Sequence, residues 1–117
     1  MNPYILVGVG GALGATLRFA VNEWIGTPNA TLAVNAIGSL LLGVILSSLS
    51  SELMSKDVSI FLGTGILGAF TTMSAFSIET IEMVSKDYMS GFAYFGTTVI
   101  LCPLLALAGW KFVEFIA

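Results

Sequence analysis

The residues best equipped for chemistry sit inside long apolar runs rather than in the loops. Between positions 63 and 77 the chain reads Gly-Thr-Gly-Ile-Leu-Gly-Ala-Phe-Thr-Thr-Met-Ser-Ala-Phe-Ser, mixing glycines with the hydroxyls of Thr64, Thr71, Thr72, Ser74 and Ser77. These residue types weaken helix continuity, so an interrupted helix is predicted near Gly68–Thr72. The carbonyls released by a break are uncharged oxygen ligands, suited to a small hard cation or to water. Asn35 is an amide among apolar neighbours, and such a group must find partners in hydrocarbon. Either an interhelical hydrogen bond or a pore role meets that need. Tyr94, Thr98 and Cys102 recur every four residues and so share one helical face. That row could guide an ion by hydrogen bonds or pair with a neighbouring helix. Pro103 then removes a helical N–H and crowds the carbonyl of Val99, which predicts a kink or a hydrated carbonyl. Arg18 and Glu79 fall within span ends, as snorkelling surface groups or as parts of a permeation route. Glu23 and Glu82 read as solvated ends.

Other chemistry is excluded by what is missing. Histidine is absent and cysteine occurs once, at Cys102. No imidazole-based triad, clustered zinc site or disulfide within the chain is available. The basic residues are isolated, so there is no electrostatic footprint for nucleic acid. An enzyme is not expected.

The elements that position these groups follow from the charge pattern. In 117 residues there are four basic and seven acidic side chains, a net charge of −3, with 56% hydrophobic content and a mean hydropathy of +0.98. Soluble domains are about 25% charged, against 9% here. Long neutral stretches between the charges are each sufficient for a helix of about 20 residues to cross a bilayer. The expected architecture is an all-α membrane protein, one four-helix domain over 1–117, with spans near 3–24, 31–50, 58–84 and 89–114 and the third broken. The run Gly26-Thr27-Pro28-Asn29 separates the first two spans. The N-terminus lacks a signal peptide's basic flank, so the first span is expected to be retained. Gly10-x-x-x-Gly14 and Ser39-x-x-x-Gly43 are small-residue patterns for close helix packing. Lys56 and Lys111 fall on one side of the membrane, Arg18 and Lys86 on the other. This balance leaves the positive-inside rule without a preference, which is either a small-number tie or the mark of dual topology, with two oppositely inserted copies forming an eight-helix pair.

With these residues in order, Gly10-Gly11-x-x-Gly14-x-x-x-Arg18, Thr31-Leu-x-Val-Asn35-x-x-Gly38 and Thr64-Gly65-x-Leu67-Gly68-x-x-Thr71-Thr72-x-Ser74-x-Phe76-Ser77-x-Glu79, the chain resembles the small bacterial fluoride channels, the Fluc or CrcB family. The resemblance implies an antiparallel, dual-topology homodimer in the bacterial plasma (inner) membrane that exports fluoride passively through two pores and excludes chloride. It further implies an ion pathway at Asn35, Met73, Phe76, Ser77, Tyr94 and Thr98, with Arg18 and Glu79 also at family positions. Asn35 would offer amide N–H groups, and Phe76 the positive rim of its ring. The backbone carbonyls of Gly68 and Thr71 would hold a structural sodium ion, completed by the second subunit.

Two positions depart from the family pattern. Met73 stands where the first of two phenylalanines is usual, and its thioether has no comparable ring edge. Cys102 stands where a hydroxyl is usual. Either the pore tolerates these residues or the chain pairs with a related second subunit. The rival class of similar length, a proton-coupled small multidrug exporter, needs an intramembrane carboxylate, and the centre of the first span has none.

Overall fold

Apolar runs bounded by capping residues become helices. In the computed structural model, which describes residues 1–117, α1 (Pro3–Ile25) begins behind Asn2, whose side chain accepts from the Tyr4 N–H, with Pro3 in the first turn. It ends at Gly26, whose φ of +81° is a conformation that glycine adopts without strain. The second span, α2 (Asn29–Ser50), follows at once. A turn after Ser50 leads to Ser55, which caps α3 (Lys56–Ser59). The chain then widens into a π-helical stretch, Ile60–Leu67, before one turn of α-helix, α4 (Gly68–Phe70). After a two-residue break, α5 (Met73–Lys86) resumes, and α6 (Tyr88–Ile116) completes the chain. The Asp87 carboxylate caps α6, accepting from the Met89 N–H and the Ser90 hydroxyl. The Ser90 hydrogen bond, followed by that from Met89, holds this carboxyl below its usual range, so the cap stays charged into mildly acidic solution.

Four segments are long and apolar enough to cross a membrane: Pro3–Ile25, Asn29–Ser50, Lys56–Lys86 and Tyr88–Ile116. The expected spans lie within two residues of these bounds. The interrupted third span is also observed. Thr71 (φ −86°, ψ 158°) and Thr72 (φ −151°, ψ 123°) are extended, and the Thr72 hydroxyl accepts from the Ala75 N–H to start α5. The π-helical stretch upstream of the break was not anticipated. At Pro103, α6 continues without interruption.

Small residues set the packing, as their spacing implied. An added Cβ at Gly10 would lie 2.6 Å from the Phe61 carbonyl oxygen, and one at Gly14 would run into the Ile66 carbonyl, so α1 rests directly on the π-helical backbone. Gly43 on α2 meets the Ala106 backbone of α6, while Gly109 on α6 meets the Leu40 carbonyl of α2. These close approaches join α2 to α6 along their length. Large apolar side chains point outward instead, Phe19, Ile81 and Phe92 among them. That inversion suits a hydrocarbon surround, where outward burial from water no longer demands an apolar interior.

Candidate functional site

The break in the third span is held by side chains from the first two. On α2, Asn35 grips the backbone of Thr72 with both ends of its amide: Oδ1 accepts from the Thr72 N–H at 2.8 Å and Nδ2 donates to the Thr72 carbonyl at 3.0 Å. The N–H that would have closed the helix onto Gly68 is thereby diverted. From α1, Arg18 Nε donates to the Ala69 carbonyl at 3.0 Å, another oxygen left behind by the interruption. Thr71 Oγ1 turns back to the Leu67 carbonyl, and its methyl group fills the space that Gly38 leaves open. A break at membrane depth survives only with such partners. Asn35 thus makes the interhelical hydrogen bond that was one of its two readings, and one amide N–H remains for another acceptor.

Beside the break lies a cavity of about 400 Å³. Its walls come from α2 (Asn35, Gly38, Ser39, Leu42), the break (Thr71, Thr72), the start of α5 (Met73, Phe76) and α6 (Thr98, Val99, Cys102, Pro103). No charged side chain lines it. Phe76 is buried, its ring 5.4 Å from that of Tyr94 and 5.7 Å from that of Phe95. Met73 is largely exposed. Thr98 is 6% exposed, and its Oγ1 is buried with no hydrogen-bond partner within the chain. An orphaned hydroxyl on an otherwise neutral wall is a donor in waiting.

Of the candidate ion-pathway and cation-ligand residues named in the sequence, the cavity collects Asn35, Thr71, Met73, Phe76 and Thr98, with Cys102 on the same wall. Arg18, Ser77, Glu79 and Tyr94 lie off its wall. Ser77 donates to the Met73 carbonyl one turn back. Tyr94 pairs with a neighbouring helix, the alternative left open for its row: its hydroxyl donates to Glu79 Oε1 at 2.9 Å, while Thr31 Oγ1 donates to Glu79 Oε2 at 2.8 Å. Both oxygens of this half-buried carboxyl are therefore occupied, tying α2, α5 and α6 together. Gly68 is exposed and Thr71 half-buried. Freed carbonyls at such a break fit a cation that prefers neutral oxygen. Sequence reasoning assigned no task to Thr31, although it lies one helical turn before Asn35 on the same face of α2, a signal that could have found it.

Tyr94→Phe tests the carboxyl junction, because the ring against Phe76 is kept while one donor is lost. Leaving a carboxyl oxygen unpaired is expected to cost about 1–3 kcal/mol, read as a lower thermal midpoint in detergent. An unchanged midpoint would show that the phenol adds nothing to the junction.

The sequence profile described as CrcB-like protein, Camphor Resistance (CrcB), matches residues 5–110. A protein of Oceanobacillus iheyensis named Fluoride-specific ion channel FluC is 40% identical over 115 residues, covering 93% of this chain and 89% of that protein. The protein of the same name from Rhizobium meliloti is 40% identical over 117 residues, covering 93% and 94%. Fluoride-specific ion channel FluC 2 of Bacillus subtilis is 42% identical over 112 residues, covering 93% and 86%.

Proposed function

The chain belongs to the CrcB family, a family of multi-pass bacterial membrane proteins that are channels and not enzymes, and from that membership we propose that it is a fluoride-specific ion channel. The observation that carries the reading is the cavity at the helix break. It joins a neutral wall to a buried, unpartnered Thr98 hydroxyl and to the spare amide N–H of Asn35. Fluoride is small and holds its water tightly, so a narrow route must replace the hydration shell with closely placed donors. Thr98 and Asn35 supply O–H and N–H groups, and the rim of the Phe76 ring supplies a weaker positive edge. Chloride, being larger, does not fit the same donor spacing. Met73 forms the flexible side of this route, without a ring edge of its own.

The working unit in this proposal is the whole chain, 1–117, paired with an identical copy inserted in the opposite sense, giving two pores through which fluoride leaves the cytoplasm down its gradient. Its support is the balance of basic residues across the membrane and the exposure of Gly68 and Met73 on one chain alone. The carbonyls of Gly68 and Thr71 would hold a structural sodium ion. When bound, that ion contributes fixed positive charge that offsets part of an anion's dehydration cost. Arg18 and Asn35 keep the break open by occupying the neighbouring backbone groups. Tyr94 and Glu79 brace α5 against α6 behind the Phe76 ring, and Ser77 bonds back to the Met73 carbonyl within the first turn of α5.

Halide efflux from liposomes decides the matter. Vesicles containing the purified protein, loaded with potassium fluoride or potassium chloride and given a potassium ionophore, should release fluoride rapidly and retain chloride. Equal release of the two ions would overturn the selective-channel reading.

A further inference from the structure

The cavity beside the break is lined by two sulfur-bearing side chains whose coordination chemistry fluoride conduction does not use. Met73, the first residue of α5, brings a thioether, and Cys102 on α6 brings a free, half-buried thiol. The unpartnered Thr98 hydroxyl lies one turn before Cys102 on the same wall. A cluster of carboxylates and imidazoles that would favour hard or borderline metals is missing. Thiolate with thioether is instead the donor pair preferred by soft monovalent cations. The unbranched methionine side chain has the rotational freedom to bring its sulfur to a shared ion.

We propose that Met73 and Cys102 form a soft-metal site, one that takes silver(I) or a cation of the same class into the cavity. Binding exchanges a proton for the metal. The Cys102 S–H bond breaks, its proton passes to water, and the electron pair left on Sγ forms the bond to silver. The Met73 Sδ donates a lone pair without losing a proton, and no electron is transferred. Thr98, one turn away on the same wall, carries a hydroxyl as a weaker oxygen donor. A cation seated there occupies the volume that fluoride must cross, so it blocks conduction. This block rests on the channel reading above, whereas the binding stands on the cavity alone.

The experiment uses the full chain in detergent and in liposomes, with nitrate as the only other anion because silver chloride precipitates. Calorimetric titration with silver nitrate should show one ion bound per chain with release of a proton. Cys102→Ser should weaken binding by about a hundredfold, and Met73→Leu by about tenfold, in line with the loss of metal ligands. Circular dichroism establishes that each variant is folded. In liposomes, silver should stop fluoride efflux from the unsubstituted protein, and each variant, compared with its own silver-free rate, should resist the block. Equal silver affinity in all three proteins would overturn the site. Tight, Cys102-dependent binding with undiminished fluoride efflux would overturn the block. Binding measured on a protein that passes no fluoride would support the site while removing the channel reading.

Discussion

Gly14→Val should prevent the protein from reaching its native packing. The Cβ of any larger residue at this position runs into the Ile66 carbonyl, with the Ile66 carbonyl carbon 2.9 Å away. The obstacle is backbone, so no side chain can turn aside; either α1 lifts off or the π-helical stretch is rebuilt. Overpacking a filled interior costs about 1–3 kcal/mol, and the value here belongs at the top of that range or above it. Gly11→Ala is the matched control, because an added Cβ there meets nothing within 4 Å. It should hold or slightly raise stability, by up to about 1 kcal/mol from helix propensity. Thermal unfolding in detergent, followed by helical circular dichroism, separates the two. Equal midpoints for Gly14→Val and the parent protein would show that α1 does not seat on Ile66.

The second large effect is expected at Asn35. Asn35→Ala removes both hydrogen bonds that hold Thr72 extended and leaves its N–H and carbonyl unpaired within the span. Each unpaired group costs about 1–3 kcal/mol. Stability should fall accordingly, and fluoride efflux should drop to background, because the break and the spare N–H disappear together. Asn35→Asp divides the contributions. Its carboxylate still accepts from the Thr72 N–H but presents oxygen to oxygen at the Thr72 carbonyl. On protonation the carboxyl gains an O–H and can again serve both groups. The stability gap between this variant and the parent should therefore narrow as pH falls through the carboxylate range. A thermal midpoint for Asn35→Ala equal to that of the parent would show that the clamp does not hold the break.

Some of this architecture was legible because the bilayer imposes simple rules. Charged side chains are costly in hydrocarbon, so the long neutral stretches between them located all four spans, although Arg18 and Glu79 fall inside the first and third and are held there by hydrogen bonds. Gly10, Gly14 and Gly43 announced close helix approach by spacing alone. The run of glycine and hydroxyl residues announced a break, and the two extended residues, Thr71 and Thr72, fall inside the predicted range. The widening over Ile60–Leu67 carried no comparable signal. It occurs where the bare backbones of Gly10 and Gly14 press on the chain, an approach made by residues far away in sequence.

Composition and periodicity, then, were sufficient to establish four apolar helices, an interrupted third span and the polar residues held within them, because hydrophobic thickness and helix propensity act locally. Partner choice belonged to the tertiary structure. Asn35 meets Thr72 across 37 positions, Arg18 meets Ala69 across 51, and Thr31 meets Glu79 across 48. Packing also divided the marked residues into two groups, placing Phe76, Thr98 and Cys102 on one cavity wall while committing Tyr94 to Glu79 behind it. Hydrogen bonds reach only about 3 Å, so which donor finds which acceptor depends on how the helices cross, and no local pattern in the chain encodes that.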